Sequence, residues 1–122
     1  MNKIYFAYVD EDMGGTYISA PNLREAKKLA LTVECIYEYM DSYIDLKCHC
    51  VRDDDGKIKK TSLPTKVLTV EEILQERCHW WDCDKCGQSE YFEYAGTGED
   101  GFTDYCKCPE CGEVFYIPYA GL

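Results

Sequence analysis

The chain has 122 residues, a formal net charge of −10 from 23 Asp and Glu against 13 Lys and Arg, and nine cysteines. That length fits one compact domain, or a small domain beside a metal-stapled one, and the acidity excludes a protein that holds nucleic acid by blanket neutralisation of phosphates. The apolar run at residues 4–9 is too short for a secretory signal core and no later run could span a bilayer, so a reducing, cytoplasmic setting is expected rather than a disulfide scaffold.

Residues 3–9 are rich in β-formers and read as a strand, with a second at 16–20 and an acidic, Gly-Gly-terminated hairpin turn between them. Asn22 followed by Glu25 has capping-box spacing. It opens a helix whose apolar stripe (Leu23, Ala26, Ala30, Val33, Tyr37) predicts an end near Met40 and Asp41. Residues 43–51 alternate, with Ile44, Leu46, Cys48 and Cys50 on one face, which predicts a half-buried strand. Asp53-Asp54-Asp55-Gly56 reads as a turn and lacks the spaced oxygens and distal Glu of a calcium loop; residues 57–63 would return as a polar edge strand. Thr69 with Glu72 forms another capping box, opening a short helix to about Arg77.

Beyond it lie two matching hooks, Cys83-Asp84-Lys85-Cys86-Gly87 and Cys108-Pro109-Glu110-Cys111-Gly112, with 21 residues between Cys86 and Cys108. Two thiolates spaced two residues apart on a tight turn can point at one ion. The glycine after them lets the backbone turn with positive φ and aim N–H groups at the sulfurs. Together the hooks supply four soft ligands, Cys83, Cys86, Cys108 and Cys111, a donor set suited to structural zinc. These residues resemble the zinc-ribbon family, in which two such knuckles flank short antiparallel strands; the resemblance covers about the last 45 residues and implies a fold, not an activity.

The predicted architecture is therefore α+β: a β-β-α-β(-β) unit over residues 1–68, a linking helix over 69–77, and a zinc ribbon over 78–122 packed against the first unit. The front segment, above all Tyr17-Ile18-Ser19-Ala20-Pro21-Asn22-Leu23-Arg24-Glu25-Ala26-Lys27-Lys28-Leu29-Ala30 and then Tyr43-Ile44-Asp45-Leu46-Lys47, resembles a strand–helix–strand pattern of small phage and mobile-element proteins. That resemblance implies a viral or plasmid setting, with the host cytoplasm as the place of action.

Other cysteines and histidines offer competing readings. Cys106 could stand in for Cys108, although only Cys108 and Cys111 have the spacing that closes a knuckle. Cys78 and His79, with Cys48, His49 or Cys50, could form a second metal site and so a metalloenzyme. The plainer reading takes Cys35, Cys48 and Cys50 as small buried hydrophobes. No Ser-His-Asp or Cys-His arrangement and no phosphate-cradling glycine loop is visible, and four thiolates close a zinc shell, so the chain is expected not to be an enzyme.

Charge sharpens the functional expectation. Residues 76–122 hold 3 Lys and Arg against 10 Asp and Glu, whereas residues 1–75 are close to balanced at 10 against 13. The ribbon's many aromatics could stack bases, but its acidity argues for core packing and a protein-binding face. The expected function is a non-catalytic interaction protein that meets a basic protein partner through Tyr91, Glu90, Glu93, Glu99, Asp100 and Asp104. An inhibitor of a nucleic-acid-handling defence complex is one version. A nucleic-acid-binding ribbon in transcription or replication is the alternative.

Overall fold

Strand β1 (Asn2–Tyr8) is the spine of the first half of the chain, because strands pair along both of its edges. The structure, a computed structural model, describes residues 1–9, 15–38, 40, 45–101 and 103–117, apart from the side chains of Glu34, Cys35 and Trp81. On one edge β1 runs antiparallel to β2 (Gly15–Ala20), in register from Lys3↔Ala20 to Tyr8↔Gly15. On the other edge lie β3 (Lys47–Cys50), opposite Tyr5 to Tyr8, and β4 (Lys60–Thr61), opposite Asn2 and Lys3. The short β5 (Lys66–Val67) adds to the outer edge of β2. The sequence does not announce it, because a two-residue strand has no periodicity to read.

Period-two alternation decides what this sheet buries. Tyr5, Ala7, Ile18 and Ala20 share one face and pack with Ala26 and Ala30 of α1 (Leu23–Ala30), together with Ile36 and Leu46. The alanines on both sides are fully buried. Side chains this small let the helix axis approach the sheet closely, and Cys48, Cys50 and Val67 close the margin of the cluster. The alternation expected for residues 45–51 thus holds at Leu46, Cys48 and Cys50, whereas Tyr43 and Ile44 lie outside the described residues.

The opposite face carries an aromatic group centred on Phe6, whose ring lies 4.9 Å from Tyr17, 5.5 Å from Tyr8 and 5.9 Å from His49 between centroids. Gly15 is required beside it. A Cβ there would stand 2.6 Å from Cζ of Phe6 and 2.5 Å from the carbonyl oxygen of Ala7. At the far end of the sheet the Asn2 side-chain amide donates to the Leu63 carbonyl, to Ser19 Oγ and to Thr65 Oγ1, holding the segment after β4 across β1 and β2.

The helix stops earlier than its apolar stripe predicts. α1 ends at Ala30, and after a break the four-residue α2 (Glu34–Tyr37) follows. The cause is local. Thr32 turns its hydroxyl back onto the Leu29 carbonyl at 2.6 Å, and the amides of Thr32 and Val33 bond three residues back, to Leu29 and Ala30, which tightens the turn. Leu23 and Tyr37, both assigned to the stripe by spacing, are exposed, at 43% and 53%. Asn22 caps the start by accepting from the Glu25 amide at 3.0 Å.

A second compact unit begins at Thr69. It opens with α3 (Val70–Gln75), capped by a complete box in which Thr69 Oγ1 accepts from the Glu72 amide and Glu72 Oε1 accepts from the Thr69 amide. The helix closes with the amide of Cys78 on the Ile73 carbonyl and that of Arg77 on Leu74, the paired bonds of a Schellman end. Arg77 occupies the left-handed position at φ 55°, which glycine usually fills. Five strands follow: β6 (Trp81–Asp82) pairs with β7 (Ser89–Glu90), while β8 (Glu93–Thr97), β9 (Asp104–Lys107) and β10 (Val114–Ile117) form a three-stranded antiparallel sheet with β9 central. Residues 90–94 therefore do not form one alternating strand; the chain leaves β7 after Glu90 and buries Phe92, which stacks on Phe115 at 5.8 Å, before β8 begins.

The crowding at Gly15 yields a direct test. Gly15→Ala should destabilise the first unit by about 1–3 kcal/mol, the usual cost of overpacking, seen as a lower urea midpoint. An unchanged midpoint would mean that the Phe6 ring and the strand backbone at Ala7 both give way at no cost.

Candidate metal centre

Each cysteine hook is the turn of a β-hairpin. β6 and β7 flank the first, where Ser89 Oγ donates to the Asp82 carboxylate across the strands, and β9 and β10 flank the second, where Lys107 faces Val114. The two turns repeat one hydrogen-bond pattern. Cys83 donates its amide to the Gln88 carbonyl at 2.9 Å and accepts from the Gly87 amide at 2.8 Å; Cys108 donates to Glu113 at 3.0 Å and accepts from Gly112 at 2.9 Å. Gly87 and Gly112 share φ 77°. Nothing would touch a Cβ at either position, so the need for glycine is one of backbone conformation and not of space.

These two turns bring the sulfurs of Cys83, Cys86, Cys108 and Cys111 within 4.8 Å of one another, as the spacing predicts. Cys83 meets Cys111 at 3.6 Å and Cys86 meets Cys108 at 3.8 Å, each contact joining one hook to the other. Disulfides need about 2.05 Å between sulfurs. Sulfurs at the corners of a tetrahedron with metal–sulfur bonds of about 2.3 Å stand about 3.8 Å apart. The cluster thus has the dimensions of a tetrahedral four-sulfur shell and could hold one metal ion. Cys83 and Cys108 are buried, while Cys86 and Cys111 face the surface.

The local electrostatics favour a cation at the centre. Amide groups aim at the sulfurs: those of Cys86 and Lys85 donate to Cys83, pulling its thiol down to about 7, with the neighbouring thiols adding to the effect against burial. The Gln88 amide acts in the same direction on Cys86. There burial and the crowding of Cys83, Cys108 and Cys111 outweigh it and push the thiol up to about 12. Cys111 is likewise raised, the Glu113 amide being overcome by burial and by Cys83 and Cys108. Four thiols this close cannot all ionise against one another's charge. A divalent ion removes that opposition, and the amides then stabilise the charge that remains on the sulfurs.

The other candidate ligands do not join. Cys106 is buried in β9 outside the cluster, and its thiol is pushed up to about 11 by burial, so Cys108 keeps its place as a donor. Cys48 is raised by burial to about 11 on the helix-covered face of the first sheet. Among the described residues, Cys48, His49, Cys50, Cys78 and His79 complete no second group of three ligand residues.

The predicted contact residues fall into two places. Asp100 Oδ1 accepts from the Thr103 amide at 2.9 Å and Oδ2 from the Thr103 hydroxyl, and Asp104 Oδ1 accepts from the Tyr94 and Thr97 hydroxyls; with Glu99 they build the β8–β9 turn. Glu90, Tyr91 and Glu93 instead line a groove of about 490 Å³ with Leu74, Gln75 and Arg77 from the end of α3, Phe92 and Tyr94, and Pro109 and Glu110 of the second hook. Sequence reasoning missed Arg77 and Glu110. The second was signalled, since the two residues inside a CxxC turn face away from its metal.

No family model, no curated protein and no solved structure gives a significant match to this chain.

Loss of one ligand should expose how much rests on the cluster. Cys86→Ser should remove amide-exchange protection from residues 69–117, because structural zinc-type sites contribute on the order of 10 kcal/mol and few large apolar side chains are buried there. Protection in β1 and β2 should persist on their own core. Loss of protection across both units would show that they fold as one.

Proposed function

We propose that the protein is a non-catalytic zinc-ribbon interaction protein of phage or mobile-element origin. Its acidic second unit engages a basic surface on a host protein. The observation that carries this reading is the four-cysteine donor set: sulfurs at tetrahedral spacing that would fill the shell of one ion and leave no ligand position for water or substrate. Zinc is the ion of choice for such a set in a reducing compartment, where it supplies folding free energy without redox chemistry. Charge gives the partner its sign. Residues 69–122 hold 12 Asp and Glu against 3 Lys and Arg, and four thiolates around a divalent ion add two further negative charges. A surface of this sign is repelled by phosphates and drawn to basic channels, where complementary charge speeds encounter. An inhibitor that occupies the basic nucleic-acid channel of a host defence complex matches that description.

Purified protein should contain one zinc per chain by elemental analysis; absence of zinc, or iron in its place, would sink the metal assignment. In gel shifts at physiological salt, single- and double-stranded oligonucleotides should stay unbound. Sub-micromolar binding that weakens steeply with added salt would instead establish the nucleic-acid-binding alternative.

A further inference from the structure

The groove beside the second hook carries more than a general negative charge. Its lining is aromatic and aliphatic at Leu74, Phe92, Tyr91 and Tyr94 and acidic at Glu90, Glu93 and Glu110. Its volume of about 490 Å³ is that of a pocket for a few side chains. One cation already sits in it. Arg77 places its guanidinium 4.7 Å from the centroid of the Tyr91 ring, and it does so from a left-handed backbone position at φ 55° that disfavours any side chain. The groove thus displays its own chemistry: a planar guanidinium on an aromatic face, in a lining that also includes three glutamates. Lys107 stands across the strands from Glu93 and offsets part of the charge.

We infer that this groove is a docking site for an arginine-bearing extended segment of a protein partner, and that Arg77 is a resident competitor occupying the place of the incoming guanidinium. The inference rests on the proposed reading of the protein as an acidic binder of basic proteins. It adds the place, the side chain recognised and the residue that limits affinity. Arginine is favoured over lysine because its flat, weakly hydrated head stacks on a ring while its edge bonds carboxylates. The turn at Glu99 and Asp100 does not line the groove and has no part in this docking.

The test is a fluorescence-anisotropy titration of the zinc-loaded full chain with a short labelled peptide of alternating Arg and Gly, and with its Lys counterpart, at physiological salt. The Arg peptide should bind more tightly than the Lys peptide. Glu93→Lys and Glu110→Lys should each weaken it about tenfold, as for a charge placed against its like. Both side chains are exposed, so these variants keep the fold. Arg77→Gly, which preserves the left-handed turn and removes the competitor, should tighten binding about threefold, the worth of an exposed cation–π contact. Binding that is lost on Glu99→Lys but unaffected by Glu93→Lys, Glu110→Lys and Arg77→Gly would overturn the groove while leaving the acidic-binder reading intact. No binding of either peptide by the wild-type chain would overturn both.

Discussion

Mutual repulsion among four sulfurs is the constraint on which the second unit turns. Two hairpins of different length and composition end in identical turns, and those turns meet sulfur to sulfur at 3.6 and 3.8 Å. Such a meeting is unfavourable for four bare thiolates and favourable around a divalent cation. Among the described residues of the unit few large apolar side chains are buried, chiefly Ile73, Leu74, Phe92 and Ile117, so their burial alone gives it little reason to hold this form. The amide groups of the turns lean the same way, since they lower the energy of charge on sulfur only when something neutralises the sum.

The first unit depends on a different source of order. Its first two strands put Tyr5, Ala7, Ile18 and Ala20 on one face, its helix meets the sheet through alanines, and its core is contiguous without any metal. Where it departs from a simple pattern, a named contact is responsible: the Thr32 hydroxyl ends α1, and the Phe6 ring over Gly15 explains a glycine inside a strand. One chain thus joins a unit held by apolar packing to a unit in which four cysteine sulfurs meet at a site that could hold a metal ion. The acids collect on the second, where a tetrathiolate centre would already carry negative charge.

That division gives the acidic groups two separate duties. Asp100 and Asp104 are spent inside the β8–β9 turn, accepting from Thr103, Thr97 and Tyr94, and they behave as parts of the scaffold. Glu90, Glu93 and Glu110 frame a groove whose floor is aromatic. Arg77 links the two levels of description. It closes α3 in a conformation that favours glycine, and its head lies on Tyr91 at the groove, so a strained backbone position and a surface feature share one residue.

The four-cysteine cluster was legible in the sequence because its spacing is local: two residues between thiols and a glycine after them fix a turn whatever surrounds it. The capping residues Asn22 and Thr69, the β-former run of β1, the alternation around β3 and the α+β class were legible for the same reason, each being decided within a few residues of chain. What the sequence left open required distant partners. The length of α1, the pairing of β5 with β2 and the break between Glu90 and Glu93 depend on hydrogen bonds and packing that no periodicity encodes. The exclusion of Cys106 depends on which face of β9 is buried. The groove could not be read at all, because Arg77, Tyr91 and Glu110 come together only when α3, the β7–β8 connection and the second cysteine turn are folded onto one another. Short-range geometry was written in the order of residues; the groove exists only where separate elements meet.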